Sequence, residues 1–148
     1  MDEAVTARMR VKLSALLLTA ALLLSGAAAP ADAREAGIAD GVKSETLFKE
    51  TLGDDPTREV VSQTYEFPAG AVLPWHIHPD AHEVVYVLSG DFVLEVEGDG
   101  ERPVPPGASL YLAPNKVHRG RNVGNEPVKL FVIRIKPKDK PLTEEVER

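Results

Sequence analysis

The chain has 148 residues, of which 43% are hydrophobic and 27% are charged, and this composition fits one soluble globular domain rather than a disordered or coiled-coil chain. It contains no cysteine, which excludes disulfides, thiolate nucleophiles and metal sites built on cysteine. The net charge of −6 repels phosphate backbones, so we expect no nucleic acid among its partners.

Residues 1–33 predict a secretory signal peptide. A basic stub precedes an apolar run over residues 13–24, and small residues then lead to Ala33. That order is typical of a cleaved export signal, and a run of 12 residues is shorter than the span of about 20 that a membrane helix needs. We therefore expect a periplasmic or secreted protein with no stable membrane anchor after processing. Cleavage after Ala29 and an uncleaved anchor are the alternatives.

The remaining chain reads as strands separated by turns. We divide it into a lead-in with a first strand (34–59), a barrel domain (60–136) and a charged tail (137–148) that we expect on the surface. Short apolar runs recur every eight to twelve residues with turn residues between them, a pattern typical of an all-β sandwich or barrel. The predicted strands of the barrel domain cover residues 60–67, 82–88, 91–97, 109–112, 117–122 and 128–135.

The four histidines fall in two short clusters. In the first, His76 and His78 are two residues apart, so in an extended segment they point to the same side and can bind one ion together. Glu83 begins the next predicted strand, beyond a turn, and can bring a carboxylate to the same point. His82 precedes Glu83 on that strand and therefore points to the opposite face, at the exterior or rim of the barrel.

The second cluster contains Gly107, Asn115, His118 and Asn122. Together the clusters offer three imidazoles and one carboxylate, which suit a borderline divalent metal ion. Four protein ligands leave one or two positions on a five- or six-coordinate ion, and a reaction can occur there. Arg119 and Arg121 alternate with His118, so we interpret them as a solvated outer face.

Both clusters carry the resemblance to a known family. The segment Gly70-x5-His76-x-His78-x4-Glu83-x6-Gly90 resembles the first cupin motif at every spacing. Residues 107–122 are similar to the second motif, Gly-x5-Pro-x-Gly-x2-His-x3-Asn, with Ala113 in place of Pro and Asn115 in place of the second Gly. Asparagine tolerates the left-handed backbone that such a turn needs, so we expect the turn to be kept.

The resemblance implies a double-stranded β-helix, or jelly-roll, barrel that holds one Mn, Fe, Ni, Cu or Zn ion. Its ligands would be His76, His78, Glu83 and His118. Small single-domain cupins are often compared with quercetin dioxygenase, which implies a metal-dependent dioxygenase-like enzyme acting on a small organic molecule, with Glu83 as ligand or general base. A metal-dependent isomerase, lyase or hydrolase is one alternative, and a binding or storage module without turnover is another.

The oligomeric state stays open at this point. Apolar residues of the strand at 82–88, namely Val84, Tyr86 and Leu88, alternate away from the ligand side. They pack either against the second sheet or against a second copy of the chain in a homodimer.

Overall fold

The computed structural model describes residues 39–148, which lie within one compact unit, Ala33–Arg148. The predicted signal peptide, residues 1–33, lies outside the described residues and stays a prediction. Among residues 39–148 no helix is long and apolar enough to cross a membrane.

The described residues form ten strands in two antiparallel sheets. The strands are β1 (Lys43–Thr51), β2 (Arg58–Phe67), β3 (His76–Ile77), β4 (His82–Ser89), β5 (Phe92–Val96), β6 (Gly100–Val104), β7 (Ser109–Leu112), β8 (His118–Asn122), β9 (Val128–Pro137) and β10 (Glu144–Glu145). One sheet has the order β1-β2-β9-β4-β7 and the other has the order β10-β3-β8-β5-β6. The expected all-β jelly roll is thereby confirmed.

The two sheets share one apolar core, because each strand turns alternate side chains inward. In β4, Val85 and Val87 are 4% and 0% exposed, whereas Val84 and Tyr86 between them are 44% and 41% exposed. The largest fully buried side chain of the described residues is Phe67 of β2, and burying a side chain of this kind stabilises the fold by about 1.5 to 3 kcal/mol. The other core members, drawn from both sheets, are Tyr65, Phe92, Leu94, Val104, Leu110, Leu112, Val128, Leu130 and Val132.

The outer face of β4 is not covered by the second sheet. Val84, Tyr86 and Leu88 stay exposed on that face, and Tyr111 of the neighbouring strand β7 is 57% exposed. Their packing against a second subunit stays a prediction.

Short β3 lies between β10 and β8 in the second sheet. His76 in β3 lies opposite His118 in β8, and β10 pairs with the other edge of β3. Most residues of the charged tail are exposed, but Thr143 is only 7% exposed and Glu144–Glu145 pair with β3. This pairing uses backbone groups at the free edge of β3, and hydropathy does not report such backbone pairing.

Candidate metal centre

Strand pairing brings three histidines of the second sheet together. One nitrogen from each ring of His76, His78 and His118 lies within 4.8 Å of the others, and all three side chains are buried. The ring centres are 5.1 Å apart for His76 and His78, 4.3 Å for His76 and His118, and 5.2 Å for His78 and His118. The cause is the register of β3 and β8, which places the two sequence clusters side by side.

Glu83 reaches the same point from the opposite sheet. Its Oε2 lies 2.7 Å from His78 Nε2 and its Oε1 lies 3.7 Å from His118 Nε2, with only 3% of the residue exposed. The four residues that the sequence predicts as ligands therefore meet between the two sheets. His82 points outward, as expected from the period of two, and its Nδ1 lies 2.7 Å from the Tyr111 hydroxyl on the surface.

Main-chain carbonyl groups fix the tautomer of each clustered histidine. A carbonyl oxygen only accepts, so the ring nitrogen that faces it carries the proton, and the other nitrogen of a neutral ring presents a lone pair. The Nδ1 atoms donate to main-chain carbonyl oxygens: that of His76 to Pro74 (2.8 Å), that of His78 to Leu142 (2.7 Å) and that of His118 to Lys116 (2.8 Å). The Nε2 atoms are therefore left as the ligating atoms.

One contact in the cluster is consistent with a bound cation. Nε2 of His78 has no hydrogen-bond partner among the described residues, although it lies 2.7 Å from Glu83 Oε2. The tautomer accounts for both observations, because a bare Nε2 and a carboxylate oxygen are two acceptors. Two such atoms repel each other at this distance unless a proton or a metal ion lies between them. The residues present therefore fit a divalent ion, which would be held by three imidazoles and a carboxylate.

The electrostatic surroundings favour the protonation states that metal binding needs. Burial, together with the nearby imidazoles of His118 and His78, lowers the pKa of His76 to about 3. Burial also lowers the pKa of His118, against the attraction of the Glu83 carboxylate. For Glu83, burial acts to raise the pKa, but His78 and Arg134 hold it well below its usual range. Neutral imidazoles and an ionised carboxylate are the metal-binding forms.

Arg134 also belongs to this site, although it was not predicted from the sequence. It lies opposite Glu83 in the pairing of β9 with β4, and its Nε donates to Glu83 Oε2 at 2.5 Å. Its Nη1 donates to Gln63 Oε1 at 2.7 Å and to the Tyr65 hydroxyl at 2.9 Å, and the residue is 6% exposed. The sequence does contain a sign of this role, because Arg134 is two residues from the inward-facing Val132 on the same strand and therefore also points inward.

A small cavity lies between the sheets beside the cluster. Its volume is about 40 Å³, room for about three water molecules. Apolar side chains form most of its wall, and the polar end is formed by His76, Glu83, His118, Arg134 and Tyr65. The apolar wall consists of Phe67, Leu73, Val85, Phe92, Leu94, Leu130 and Val132, with Gly120 beside them.

The Phe92 ring lies directly against Gly120 in the wall of the cavity. A Cβ on Gly120 would lie 2.7 Å from that ring, so this position has no room for a side chain. Arg119, interpreted as solvated, instead donates to Glu95 Oε2 at 2.7 Å and lies over the Trp75 ring.

The two turns that carry the histidines are joined by side chains. Asp80 and Asn115 are the two non-glycine residues of the described chain with a positive φ, 52° and 62°. The Asp80 N–H donates to Asn115 Oδ1 at 3.0 Å, and Asn115 Nδ2 donates to Asp80 Oδ1 at 2.9 Å. The Asn that departs from the motif's glycine thus keeps the left-handed turn and adds two hydrogen bonds that glycine lacks.

Comparison with known proteins agrees with this geometry. A family model described as the cupin domain matches residues 63–134, which include the three histidines, Glu83 and Arg134. A curated relative, an uncharacterized protein of Methanocaldococcus jannaschii, is 28% identical over 107 residues, which cover 71% of this chain and 85% of that protein.

Solved structures share the fold. The polyketide cyclase RemF from Streptomyces resistomycificus has a TM-score of 0.60 at 22% identity, with 78% of this chain and 77% of that chain covered. An oxalate oxidase in complex with the substrate analogue glycolate has a TM-score of 0.57 at 21% identity. That match covers 74% of this chain but just 57% of the oxidase. At these identities the likeness shows the fold alone.

Proposed function

We propose that this chain, which belongs to the cupin superfamily, binds one divalent transition-metal ion and acts with it on a small organic molecule. The observation that carries the proposal is the convergence of three imidazoles with fixed tautomers on one buried carboxylate. The proposed ligands are His76, His78, Glu83 and His118. This set accepts Mn, Fe, Ni, Cu or Zn, so availability in the compartment decides which ion is bound.

The polar end of the cavity would orient and deprotonate the substrate. When bound, the ion lowers the pKa of a substrate hydroxyl or enol oxygen. Arg134 holds Oε2 of Glu83, so the carboxylate stays ionised and turns Oε1 toward the His118 side of the site. Glu83 Oε1 is then the atom that accepts the substrate proton as general base.

The apolar wall would select the substrate by size and exclude water. Phe67, Phe92 and Leu94 leave a cavity of about 40 Å³, so a ligand larger than a few heavy atoms requires these side chains to move. Exclusion of water strengthens the interactions between the substrate oxygen, the ion and Glu83. We therefore favour a small, largely apolar substrate with one ionisable oxygen.

The reaction that we favour is a dioxygenase-like oxidation, because a metal ion with one or two open positions in an apolar cavity suits activation of an enol or hydroxyl group toward dioxygen. The alternatives are a metal-dependent isomerase or lyase and a module that binds without turnover. An oxalate oxidase in complex with a substrate analogue and a polyketide cyclase share this fold, so the fold alone does not choose between these reactions.

Oxygen consumption separates these reactions. The apo protein is reconstituted with each of the five ions and assayed with a panel of small enols, phenols and hydroxy acids. We expect oxygen uptake with at least one pair, and its loss in Glu83→Gln, with His82→Ala as the matched control that keeps activity. Product formation without oxygen uptake would support the isomerase or lyase. Saturable binding without product would support the module.

We also propose that the protein is exported to the periplasm or the medium. The support is the order of basic, apolar and small residues over 1–33. N-terminal sequencing of protein made by its own host is expected to give a start near Arg34. A start at Met1 or Met9 in the membrane fraction would contradict export with cleavage.

A further inference from the structure

Residues 141–148 lie along β3, the strand that carries His76, and His78 follows directly after it. We name this segment the C-terminal strap. In it, Glu145 of β10 lies opposite His76 in the antiparallel pairing with β3. The Val146 N–H donates to the Trp75 carbonyl at 2.8 Å, which extends the pairing by one residue. The strap is thus an added edge strand of the sheet that holds the site.

The strap supplies the hydrogen-bond partner of one histidine ring. The Leu142 carbonyl accepts from His78 Nδ1 at 2.7 Å, across a sequence separation of 64 residues. Thr143 Oγ1 lies 3.4 Å from the same nitrogen and its residue is buried. The other two histidines use carbonyls two residues earlier in their own segments, those of Pro74 and Lys116. Only His78 of the three therefore depends on a distant part of the chain.

The end of the strap is held by an aromatic ring. Arg148 lies over the Trp75 ring with its Cζ 4.4 Å from the ring centre, and Arg119 of β8 lies over the same ring at 4.7 Å. Arg148 also forms an ion pair with Glu97. Cation–π contacts of this kind contribute about 0.5 to 1 kcal/mol each at exposed sites. The strap lies beyond residues 63–134, which the family model matches.

We propose that the C-terminal strap is a positioning element of the metal centre. When it is docked, the Leu142 carbonyl keeps the proton of His78 on Nδ1 and directs Nε2 to the point that it shares with His76 and His118. When it is undocked, His78 is able to carry its proton on Nε2, which removes the ligating lone pair. This inference rests on the proposed metal site. Because linkage is reciprocal, the bound ion also favours the docked strap.

The test uses the full chain and reads the ring tautomers by long-range ¹H–¹⁵N NMR without metal. In the parent protein we expect His76, His78 and His118 to be protonated at Nδ1. The variant Val146→Pro removes the N–H that donates to Trp75. We expect His78 alone to become a mixture of tautomers and the Kd for Zn²⁺ to rise about 10- to 100-fold. Glu147→Pro, at an exposed residue beyond this bond, is the matched control and should change neither.

A second measurement needs no substitution. Amide hydrogen exchange of Val146 in the parent protein should slow on addition of Zn²⁺, because the ion favours the docked strap. An unchanged His78 tautomer and Zn²⁺ affinity in Val146→Pro would overturn the proposal. If Val146→Pro unfolds the protein, the tautomer signals of all three histidines change together. The exchange measurement then decides: an amide exchange rate of Val146 that Zn²⁺ does not alter in the parent protein overturns the proposal. A parent that takes up no ion defeats the metal site, while the His78 tautomer still tests the strap.

Discussion

The Glu83–Arg134 pair is a buried ion pair whose two charges depend on each other. Both residues are almost fully buried, and the guanidinium Nε lies 2.5 Å from the carboxylate. Gln63 and Tyr65 accept the Nη1 hydrogen atoms, so the pair is part of a hydrogen-bonded network. A network of this kind is costly to break, because a single deletion leaves a buried charge without compensation.

Replacing Arg134 by leucine should therefore destabilise the metal-free protein by about 3 to 5 kcal/mol. Urea unfolding measures the change in the free energy of unfolding. Lys129→Leu is the control, because the Lys129–Glu66 pair is exposed, with the two charged atoms 3.6 Å apart. We expect about 0 to 1 kcal/mol there. Equal losses in the two variants would show that the Glu83–Arg134 pair has no special role.

The stability of the metal-free protein should fall as pH falls below about 6.5. The pKa of His76 is about 3 in the folded state, against 6.5 for the unfolded chain. Between these values the unfolded state binds one proton more, so stability decreases by about 1.4 kcal/mol per pH unit for this group. His118 acts in the same direction, and Glu83 adds to the loss below pH 4.5, because its folded pKa is also lowered.

Urea unfolding at a series of pH values checks this dependence. In His76→Gln the free energy of unfolding should change less steeply with pH between pH 6 and pH 4. The slope should fall by the equivalent of about one bound proton, because the imidazole with the lowered pKa has been removed. A slope in that variant equal to that of the parent would show that His76 is not the group that titrates.

At the scale of elements, the Asp80–Asn115 contact links the turn after His78 to the turn before His118. Both residues have a positive φ, so glycine at either position keeps the backbone. Asn115→Gly removes both hydrogen bonds, whereas Asp80→Gly removes only the one that its carboxylate accepts, because the Asp80 N–H still donates to Asn115 Oδ1. In a double-mutant cycle with Asp80→Gly and Asn115→Gly, we expect a coupling of about 0.5 to 1 kcal/mol. Thermal or urea unfolding of the parent, the two single variants and the double variant measures this coupling. Additive single effects would mean that the turns are not linked.

The strands and the site differ in how far the sequence predicted them. Six of the eight strands β2–β9 follow from alternation and turns, whereas β3 and β6 were not predicted. The positions of His76, His78 and Glu83 follow from parity along their segments. The role of Arg134 was not predicted, because parity shows that a side chain points inward but not which partner lies opposite. The pairing of Glu144–Glu145 with β3 was missed for a related reason: it uses backbone groups, which have no signature in a polar, charged segment.

At the scale of the whole molecule, the proposed ion would join segments from both sheets. Its ligands come from β3 and β8 in one sheet and β4 in the other, with His78 just after β3. The chain has no disulfide to provide such a link. An ion that binds only the folded state stabilises it by about 3 to 4 kcal/mol at 100 to 1,000 times its Kd.

Chelation should therefore lower the Tm of the metal-loaded protein by at least about 10 °C, since each kcal/mol corresponds to about 4 to 8 °C for a domain of this size. Calorimetry with and without a chelator at neutral pH measures the change, and readdition of the ion should restore the Tm. A Tm that does not respond in protein shown to contain metal would mean that the ion contributes to chemistry and not to stability.

The metal content of the purified protein tests the central claim most directly. Elemental analysis of natively purified protein, followed by titration of the apo protein, should give about one divalent ion per chain. His76→Ala and His118→Ala should lose the ion, whereas His82→Ala, whose ring lies on the outer surface, should keep it. Failure of the apo protein to take up any of the five ions, or loss of the ion in His82→Ala alone, would contradict the account.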